Sequence, residues 1–530
     1  MSVWGILQRS AALSAHQPAV VDGETRYDYA ELGRRASALA HYLRERGIRP
    51  GDRISILDDN SHTFLETYFA AAGTGAILNP LNTRLHPQEV AAILNDAGCL
   101  WLLADPRFAP QVEEALAAAR SVRGVLWLDD ECAGDFGLTA DHYESVTSGE
   151  HRILDPTPVK DDQVVQLYYT SGTTGRPKGV MLTQRNVTVH ALAAIAELQL
   201  TGDDIWGHIA PMFHLADAWA SFAITWVGGR HVMQRRFDPA GVLSTIEQER
   251  ITITNLIPTM LNAMVHHPHA RSADCRSLRL ILSGGAPIAP ALVERIIQTL
   301  GCDYAQTYGM TETSPYLTIS LLKPHLRSLP PNEELRYKAK TGWSFLPVEL
   351  EVVDESDQAV TPNDQDVGEI RVRGGTISPG YWHQPDETAI AIRDGWLYTG
   401  DLATVDDEGY VTIVDRKKDM IISGGENVYS TEVENVLFSH PQVREAAVFG
   451  VPDSQWGEAV TAAVVLREGT STSEEEIVAH CRQHLAAFKV PKSIVFVGEL
   501  PRTGSGKISK SVLREAYMSG RLTCEPPELR

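Results

Sequence analysis

The feature that most constrains the fold is an apolar segment that leads into a loop rich in glycine, hydroxyl groups and positive charge. The apolar run over residues 164–169 predicts a buried strand. The loop that follows, residues 170–179, contains three glycines, four hydroxyl side chains and two cations. Glycines let successive backbone N–H groups converge on one point, and hydroxyls and cations add donors and charge. This combination predicts a polyphosphate-binding loop; the alternative is an ordinary surface loop.

This segment is not the common P-loop, because its glycine spacing differs and no Ser or Thr follows the lysine. The residues that we expect to contact phosphate are Thr170, Ser171, Gly172, Thr173, Thr174, Gly175 and Lys178.

Length and composition predict a globular protein of at least two domains, because 530 residues exceed what one core usually holds. The formal net charge of −21 argues against a nucleic-acid partner. Six cysteines without a CxxC pair favour a reducing compartment, and we expect a cytoplasmic location. The N-terminal sequence predicts no signal peptide, and the absence of a long apolar stretch predicts no transmembrane segment.

Strand, glycine turn and helix alternate along much of the chain and predict α/β layers. Residues 251–256 alternate like a strand, and Pro258 begins a predicted helix. Residues 278–282 form another apolar run, which a Ser-Gly-Gly-Ala-Pro loop separates from helical spacing at 291–297. Ligands of such sheets gather at the carboxyl ends of the strands, where these loops lie.

Composition shifts near residue 345, where alternating segments at 348–353 and 368–373 predict antiparallel strands. Strands near 446–451, 460–466 and 493–497, with helices from Ser473 and Ser511, predict a compact C-terminal unit. Ser473 and Glu476 form a predicted capping box. We therefore expect a multi-domain α/β fold. A large N-terminal domain of layered α/β sheets with a small β-rich subdomain would span 1–415, followed by a hinge at 416–418 and a small mobile α+β domain at 419–530.

Residues 306–312, Gln-Thr-Tyr-Gly-Met-Thr-Glu, form a second candidate site. Tyr308 offers a flat face for a purine, and Thr311 offers a hydroxyl for a phosphate. Glu312 supplies the hard carboxylate oxygen that Mg²⁺ prefers. The alternative is a turn with a surface glutamate.

These two segments resemble the signatures of the adenylate-forming enzymes, which include acyl-CoA synthetases, luciferases and the adenylation domains of peptide synthetases. Further segments are similar to family motifs and occur in family order: residues 211–214, 283–287, 396–401, 423–428, 488–491 and 501–508. The resemblance covers roughly residues 20–520 and is greatest to bacterial fatty-acyl-CoA synthetases.

The resemblance implies a role for each matched residue. Asp401 and Arg416 would hold the ribose, Lys418 would serve as the hinge, and Lys507 would be the C-terminal catalytic lysine. Catalytic roles would also fall to Thr170, to Glu312 as the Mg²⁺ ligand and to His214, which could equally be a core residue. The other nucleotide- and CoA-side residues would be Gly285, Ala286, Pro287, Gln306, Thr307, Tyr308, Gly309, Met310, Thr311, Gly424, Gly425, Glu426 and Lys489.

The implied reaction joins a small carboxylic acid to coenzyme A through an acyl-AMP, with ATP and Mg²⁺. Alternatives are an enzyme that loads a carrier protein, and a nucleotide-binding sensor without catalysis. The expected acyl pocket is mostly small or apolar and favours an uncharged tail, either a medium or long fatty acid or, as the alternative, an aryl acid. Its residues would be His214, Leu215, Ala216, Gly284, Thr307, Gly309 and Met310. A homodimer is a family-level expectation.

Overall fold

The computed structural model describes residues 2–129, 139–149, 153–170, 177–502 and 508–522. Within them the helices, α1 to α17 in chain order, are Val3–Leu13, Tyr29–Glu45, His62–Thr74, Pro87–Ala97, Ala109–Leu116, Tyr143–Thr147, Gln184–Leu198, Leu215–Ala218, Ala220–Val227, Pro239–Glu249, Pro258–His266, Pro290–Leu300, Pro331–Ala339, Pro385–Ala391, Ser430–Ser439, Glu474–His484 and Lys510–Met518.

The strands of the same residues, β1 to β26 in chain order, are Pro18–Asp22, Thr25–Asp28, Arg53–Leu57, Ile77–Pro80, Cys99–Ala104, Gly124–Trp127, Thr139–His142, Val164–Thr170, Lys178–Thr183, Ile205–His208, Arg230–Met233, Ile253–Asn255, Leu280–Ser283, Asp303–Gly309, Tyr316–Ile319, Trp343–Ser344, Glu349–Val353, Gly368–Arg373, Ile392–Arg393, Trp396–Val405, Val411–Arg416, Ile421–Ser423, Glu426–Val428, Val443–Asp453, Gly457–Leu466 and Ser493–Phe496.

Two large sheets carry most of the predicted site residues. One has the order β16-β15-β14-β13-β12-β10-β11-β1-β2, and its central strands, β14 to β1 in that order, are parallel. The other has the order β7-β6-β5-β3-β4-β8-β9 and is parallel except where β8 pairs with β9. The carboxyl ends of parallel strands are where α/β sheets bind ligands.

One buried apolar cluster joins these two sheets. It includes Ile54 and Tyr168 of the seven-stranded sheet and Trp206 and Leu282 of the nine-stranded sheet. A fully buried apolar side chain contributes roughly 1.5–3 kcal/mol to folding. The cluster therefore fixes the frame in which the strand ends, and the loops that follow them, are held.

Two smaller sheets follow in the chain. In one, of order β17-β18-β20-β19, β21 pairs with β20; in the other, of order β23-β22-β25-β24, β26 pairs with β25. The chain divides into two compact units, Met1–Leu350 with Val372–Leu397, and Glu351–Arg371 with Tyr398–Arg530. The domain bounds expected from sequence, with a hinge at 416–418, stay a prediction.

The α/β fold class predicted from the sequence is confirmed. Ser473 caps α16, and Glu476 completes the predicted capping box. The strand expected at 251–256 is shorter, because the Ile251 N–H donates to the Ile246 carbonyl oxygen of α10. None of the described helices combines the length and the apolar character needed to cross a membrane.

Candidate functional site

A β-hairpin flanks the predicted phosphate-binding loop. β8 ends at Thr170, β9 begins at Lys178, and these two residues pair directly across the hairpin. The neighbouring Tyr169 hydroxyl donates to Asp96 Oδ2 at 2.5 Å. The hairpin therefore fixes the two predicted site residues at its ends. The other predicted residues of this loop, Ser171, Gly172, Thr173, Thr174 and Gly175, lie outside the described residues.

Lys178 is held in a cluster with Tyr381, Glu387 and Glu312, here called the tyrosine cluster. Lys178 Nζ forms an ion pair with Glu387 and lies 5.1 Å from the centre of the Tyr381 ring. Burial raises the pKa of the Tyr381 phenol, and the carboxylates of Glu312 and Glu387 raise it further. Tyr381 is therefore a neutral hydrogen-bond donor between a cation and two carboxylates.

Glu312 lies on a 3₁₀ turn, Thr311–Thr313, directly after β14. Its side chain is buried, and Oε1 accepts a hydrogen bond from the Tyr381 hydroxyl at 2.8 Å. Its backbone oxygen accepts from the Ser378 N–H at 2.8 Å. Both bonds limit the positions that the carboxylate can adopt.

The turn before Glu312 requires glycine at position 309. A Cβ placed on Gly309 would lie 1.8 Å from the carbonyl oxygen of Pro315, far inside van der Waals contact. The Met310 N–H donates to the same oxygen at 3.1 Å. The close approach of these two backbone segments shapes the turn that carries Glu312.

The donor chemistry of Glu312 fits Mg²⁺. Nucleotide-bound Mg²⁺ usually takes one or two protein carboxylates, and phosphates and water complete its octahedron. In the part of the chain that the structure describes, no group of three or more His, Cys, Asp or Glu side chains could hold a metal ion. A single oriented carboxylate is therefore the type of site in which the nucleotide supplies other ligands.

The loop after β13 is tied to β14 through Gln306. Gln306 Nε2 donates to the Ala286 carbonyl oxygen at 2.8 Å, and the Tyr304 hydroxyl donates to Gln306 Oε1. Thr307 Oγ1 donates to the Ser283 carbonyl oxygen at 3.1 Å. These bonds bring the predicted adenine-side residues of both segments together, although a contact of Gln306 with adenine stays a prediction.

Backbone conformation also restricts this loop. Gly285 has a φ of +81°, a value that favours glycine. A Cβ on Gly284 would lie 2.7 Å from Thr307 Oγ1. Ala286 and Pro287 are exposed at the tip of the loop. The exposed part of this loop therefore consists of backbone and small side chains.

The predicted acyl-side turn precedes a short helix. His214 directly precedes α8, its N–H donates to the Pro211 carbonyl oxygen at 3.0 Å, and its ring lies 4.7 Å from that of Phe213. The Ala216 carbonyl oxygen accepts from Trp219 Nε1 at 3.0 Å and from Asn255 Nδ2 at 2.8 Å. Ala216 is therefore fixed by side chains that the sequence prediction missed.

Four buried aromatic side chains pack behind this turn and are here called the aromatic wall: Trp219, Tyr316, Phe345 and His190. The Trp219 and Tyr316 ring centres lie 5.3 Å apart, and those of Tyr316 and Phe345 lie 5.6 Å apart, both edge to face. Trp219 Nε1 also donates to the Tyr316 hydroxyl at 3.0 Å. Tyr316 pairs with Gly309 across the β14–β15 hairpin, so the wall adjoins the predicted acyl pocket.

In the second unit, the predicted ribose pair occupies opposed positions of two strands. Asp401 pairs with Arg416 in the β20–β21 register, and Arg416 Nε lies 3.4 Å from Asp401 Oδ1. Asp415 braces this position, because its Oδ1 accepts from the Arg416 N–H at 2.7 Å and from Ser430 Oγ at 2.9 Å. Lys418, the predicted hinge residue, is exposed.

The predicted CoA-side glycines form a two-residue turn between β22 and β23. Ser423 pairs with Glu426, and Gly424 and Gly425 have φ values of +64° and +86°. Positive φ at both central residues is typical of a type I′ hairpin turn, which glycine allows. The Gly424 N–H donates to the Trp456 carbonyl oxygen at 2.7 Å.

Two further predicted residues belong to the same unit. Lys489 Nζ contacts both carboxylate oxygens of Glu432 at 2.7 Å. Arg502 and Ile508 form an isolated antiparallel bridge on either side of the predicted lysine loop. Lys507 itself lies outside the described residues.

Comparison with known protein families identifies the family to which this chain belongs. Residues 7–382 match the profile described as AMP-binding enzyme, and residues 432–507 match the profile of the AMP-binding enzyme C-terminal domain. The chain belongs to the AMP-binding enzyme family. The resemblance inferred from the motifs is confirmed.

Individual relatives align with nearly the whole length of this AMP-binding enzyme. A feruloyl-CoA synthase from Amycolatopsis is 41% identical, covering 96% of this chain and 98% of its own length. A long-chain-fatty-acid–CoA ligase from Thermus thermophilus is 37% identical, covering 98% and 96%. The crystal structure of ATP-bound MatB from Rhodopseudomonas palustris superposes with a TM-score of 0.85 at 30% identity, covering 98% and 99%.

This AMP-binding enzyme is an AMP-forming carboxylate–CoA ligase that acts through an acyl-adenylate. ATP, Mg²⁺ and CoA are the small molecules used by its family, as the motifs predicted. The role of each individual site residue stays a prediction.

Proposed function

We propose that this AMP-binding enzyme activates an aromatic carboxylic acid and transfers it to CoA. The aromatic wall carries this proposal. It lies directly behind Ala216 and beside Gly309, two residues expected to line the acyl pocket. Buried rings in edge-to-face contact favour a further aromatic ring as their neighbour.

A long fatty acyl tail would need an open apolar channel through this region. Trp219, Tyr316 and Phe345 are 2%, 3% and 0% exposed, and the Trp219–Tyr316 hydrogen bond joins two of their side chains. Opening a path between them would break that bond and expose ring surface. The similarity to a feruloyl-CoA synthase supports the same choice, and the similarity to a long-chain-fatty-acid ligase keeps a fatty acid as the second candidate.

The proposed reaction has two displacements. A carboxylate oxygen of the acid attacks the α-phosphorus of ATP, the bond to the bridging oxygen breaks, and acyl-AMP and pyrophosphate form. The CoA thiolate then attacks the acyl carbon. The bond between that carbon and the phosphate oxygen breaks, and AMP leaves with the electron pair of this bond. Bound Mg²⁺ supplies positive charge at the phosphates.

The chain's own residues orient and neutralise these groups. Thr170 and Lys178 bind the departing pyrophosphate, and Tyr381 holds Glu312 in the orientation that binds the metal. The Gln306-anchored loop receives adenine, and Asp401 receives the ribose hydroxyls through its two acceptor oxygens.

The second unit supplies the groups that differ between the two steps. Lys507 steadies the attacking carboxylate during adenylation. The turn at Gly424 and Gly425 leaves room for the narrow thiol arm of CoA during the second step. As the family resemblance implies, Lys418 would be the hinge that presents Lys507 in the first step and the Gly424–Gly425 turn in the second.

The test is a panel of benzoic, cinnamic and straight-chain fatty acids of graded length, each supplied with ATP, Mg²⁺ and CoA. Released AMP and the thioester are both quantified. We expect kcat/KM for the best aromatic acid to exceed that for every fatty acid by at least about tenfold. A long-chain acid as the best substrate would contradict the aromatic assignment. Thioester formed only on an added carrier protein, and not on CoA, would contradict the acceptor.

Two broader expectations remain predictions. A homodimer would be seen as a single species of twice the chain mass by sedimentation velocity. A cytoplasmic location agrees with the described cysteines, Cys99, Cys275, Cys302 and Cys481, which are buried thiols.

A further inference from the structure

We infer that the acid activated by this enzyme carries a hydrogen-bond donor on its aromatic ring, a hydroxyl or an amine, which binds Asn255 Oδ1. The inference rests on the proposed function and identifies the class of ring substituent. It comes from a buried acceptor to which none of the described residues donates a hydrogen bond.

Asn255 is the last residue of β12, at the carboxyl end of a central parallel strand. The residue is 3% exposed. Its Nδ2 donates to the Ala216 carbonyl oxygen at 2.8 Å. Among the residues that the structure describes, none donates a hydrogen bond to its Oδ1, which is itself buried.

The Ala216 contact decides which end of the amide lacks a partner. A carbonyl oxygen can only accept, so the atom of Asn255 that faces it has to be the NH₂ group. Rotating the amide by half a turn would place two acceptors against each other and leave the NH₂ group without this partner. The unpaired atom of Asn255 is therefore an acceptor, and the group that completes it has to be a donor.

Two donors near Asn255, the Trp219 indole N–H and the Thr254 hydroxyl, are already engaged elsewhere. Trp219 Nε1 donates to both the Ala216 carbonyl oxygen and the Tyr316 hydroxyl, each at 3.0 Å. Thr254, the preceding residue, donates its hydroxyl to the Gly207 carbonyl oxygen at 2.7 Å. Trp219 Nε1 and the Thr254 hydroxyl thus have partners, whereas Asn255 Oδ1 lacks a donor among the described residues.

The position of Asn255 ties this acceptor to the acyl pocket. Asn255 and Trp219 bind the same carbonyl oxygen, and Ala216 belongs to the predicted pocket. In the strand register Asn255 lies opposite Leu282. Leu282 precedes Gly284, in the adenine-side loop, by two residues. The acceptor therefore lies between the aromatic wall and the two segments that receive the acyl-adenylate.

This chemistry distinguishes ring substituents. A phenolic hydroxyl or a ring amine can donate to Asn255 Oδ1. A methoxy oxygen at the same position has no proton and would oppose one acceptor with another, and an unsubstituted ring would leave the amide oxygen unpaired. Sites built to hydrogen-bond a substrate group reject analogues that lack it more strongly than apolar pockets reject a missing methylene.

The test compares matched acids on the wild-type enzyme. Benzoic and cinnamic acids with a hydroxyl at each ring position are compared with their methyl ethers, the corresponding amines and the unsubstituted acids, by kcat/KM for AMP release. We expect one hydroxyl isomer, and the amine at the same position, to exceed both the ether and the unsubstituted acid by at least about tenfold. Equal rates for the hydroxy and unsubstituted acids would overturn the inference and leave the proposed function intact. Failure of every aromatic acid to release AMP would refute the proposed function itself.

A variant assigns the preference to this side chain. Asn255→Leu keeps a similar volume and removes the acceptor, so the ratio of kcat/KM for the hydroxy acid to that for the unsubstituted acid should fall to within about twofold. Asn262→Leu, the same substitution at an exposed position of α11, is the control and should keep the preference. A preference that survives Asn255→Leu would overturn the assignment. If Asn255→Leu does not fold, the wild-type comparison still decides whether the activated acid carries a hydrogen-bond donor on its ring.

Discussion

The Tyr381 hydroxyl donates to Glu312 Oε1 at 2.8 Å, although 69 residues separate the two in the sequence. Tyr381 thereby connects the carboxylate predicted to bind Mg²⁺ with Lys178, whose Nζ lies over the same ring. The carboxylate orientation therefore depends on a residue outside every motif.

Replacement of Tyr381 by phenylalanine tests this dependence. Tyr381→Phe keeps the ring beneath Lys178 but removes the donor to Glu312, so the Mg²⁺ concentration for half-maximal activity should rise about tenfold. The measurement is a Mg²⁺ titration of AMP release at saturating ATP. Tyr42→Phe removes a comparable bond, from the Tyr42 hydroxyl to Asp141 Oδ2 at 2.7 Å, and should leave the Mg²⁺ requirement unchanged. Identical titrations for the two variants would contradict the role of Tyr381.

Lys507 should act in only one of the two steps. Lys507→Ala should lower adenylation by about a hundredfold or more, because the charge that builds in the first transition state loses its counter-charge. Thioester formation from chemically prepared acyl-AMP and CoA should be largely spared. Each step is measured separately, by acid-dependent ATP consumption and by thiol-dependent AMP release. Equal loss of both steps would contradict the proposed division of roles.

Gly309 should tolerate no side chain. Gly309→Ala places a Cβ 1.8 Å from the Pro315 carbonyl oxygen, so the β14–β15 hairpin has to move, and we expect a loss of about 3 kcal/mol or more in unfolding free energy. Guanidinium denaturation followed by fluorescence measures this change. Gly498→Ala is the control, because its Cβ would meet no described atom within 4 Å. Equal midpoints for the two variants would refute the steric argument.

Stability should depend on pH through His62. Burial disfavours the charged imidazole, but the hydrogen bond to Asp22 Oδ2 at 2.8 Å and the nearby carboxylates of Glu144 and Glu66 outweigh it and raise the pKa of His62 to about 9. A histidine with a folded-state pKa above its unfolded value of about 6.5 stabilises the fold fully below that pH. This stabilisation, about 3 kcal/mol at most from the size of the shift, is lost as the pH rises through 9.

The measurement compares unfolding free energies of the wild type and His62→Gln at acidic and at alkaline pH. The difference should be largest near pH 6 and should shrink towards pH 10. His16→Gln, at a side chain that is 95% exposed, is the control and should show little difference at either pH. A difference for His62→Gln that grows with pH would contradict the sign of the shift.

The sequence predicted the strands and the turns better than it predicted their side-chain partners. The β24 and β25 strands and the capping box at Ser473 follow from local pattern, because periodicity and capping are local properties. Gln306 and Thr307 were singled out by the family resemblance, and their roles stay predictions.

Tyr381, Trp219 and Asn255 were missed because their roles depend on distant contacts. No sequence spacing predicts that Tyr381 contacts Glu312. The pattern around Asn255 predicts only the end of an apolar strand. A polar residue at the carboxyl end of a predicted parallel strand is a signal that could have singled out Asn255. Its partner, the Ala216 carbonyl oxygen, is a backbone group that no composition argument identifies.

Acid-dependent exchange of radiolabelled pyrophosphate into ATP, measured without CoA, tests the central claim most directly. Adenylation is reversible, so an acid that forms acyl-AMP returns label to ATP before any thiol is present. We expect exchange with at least one aromatic acid, dependent on Mg²⁺ and abolished when the acid is omitted. Purified enzyme that exchanges no label with any acid of the panel, although it binds ATP, would contradict the account.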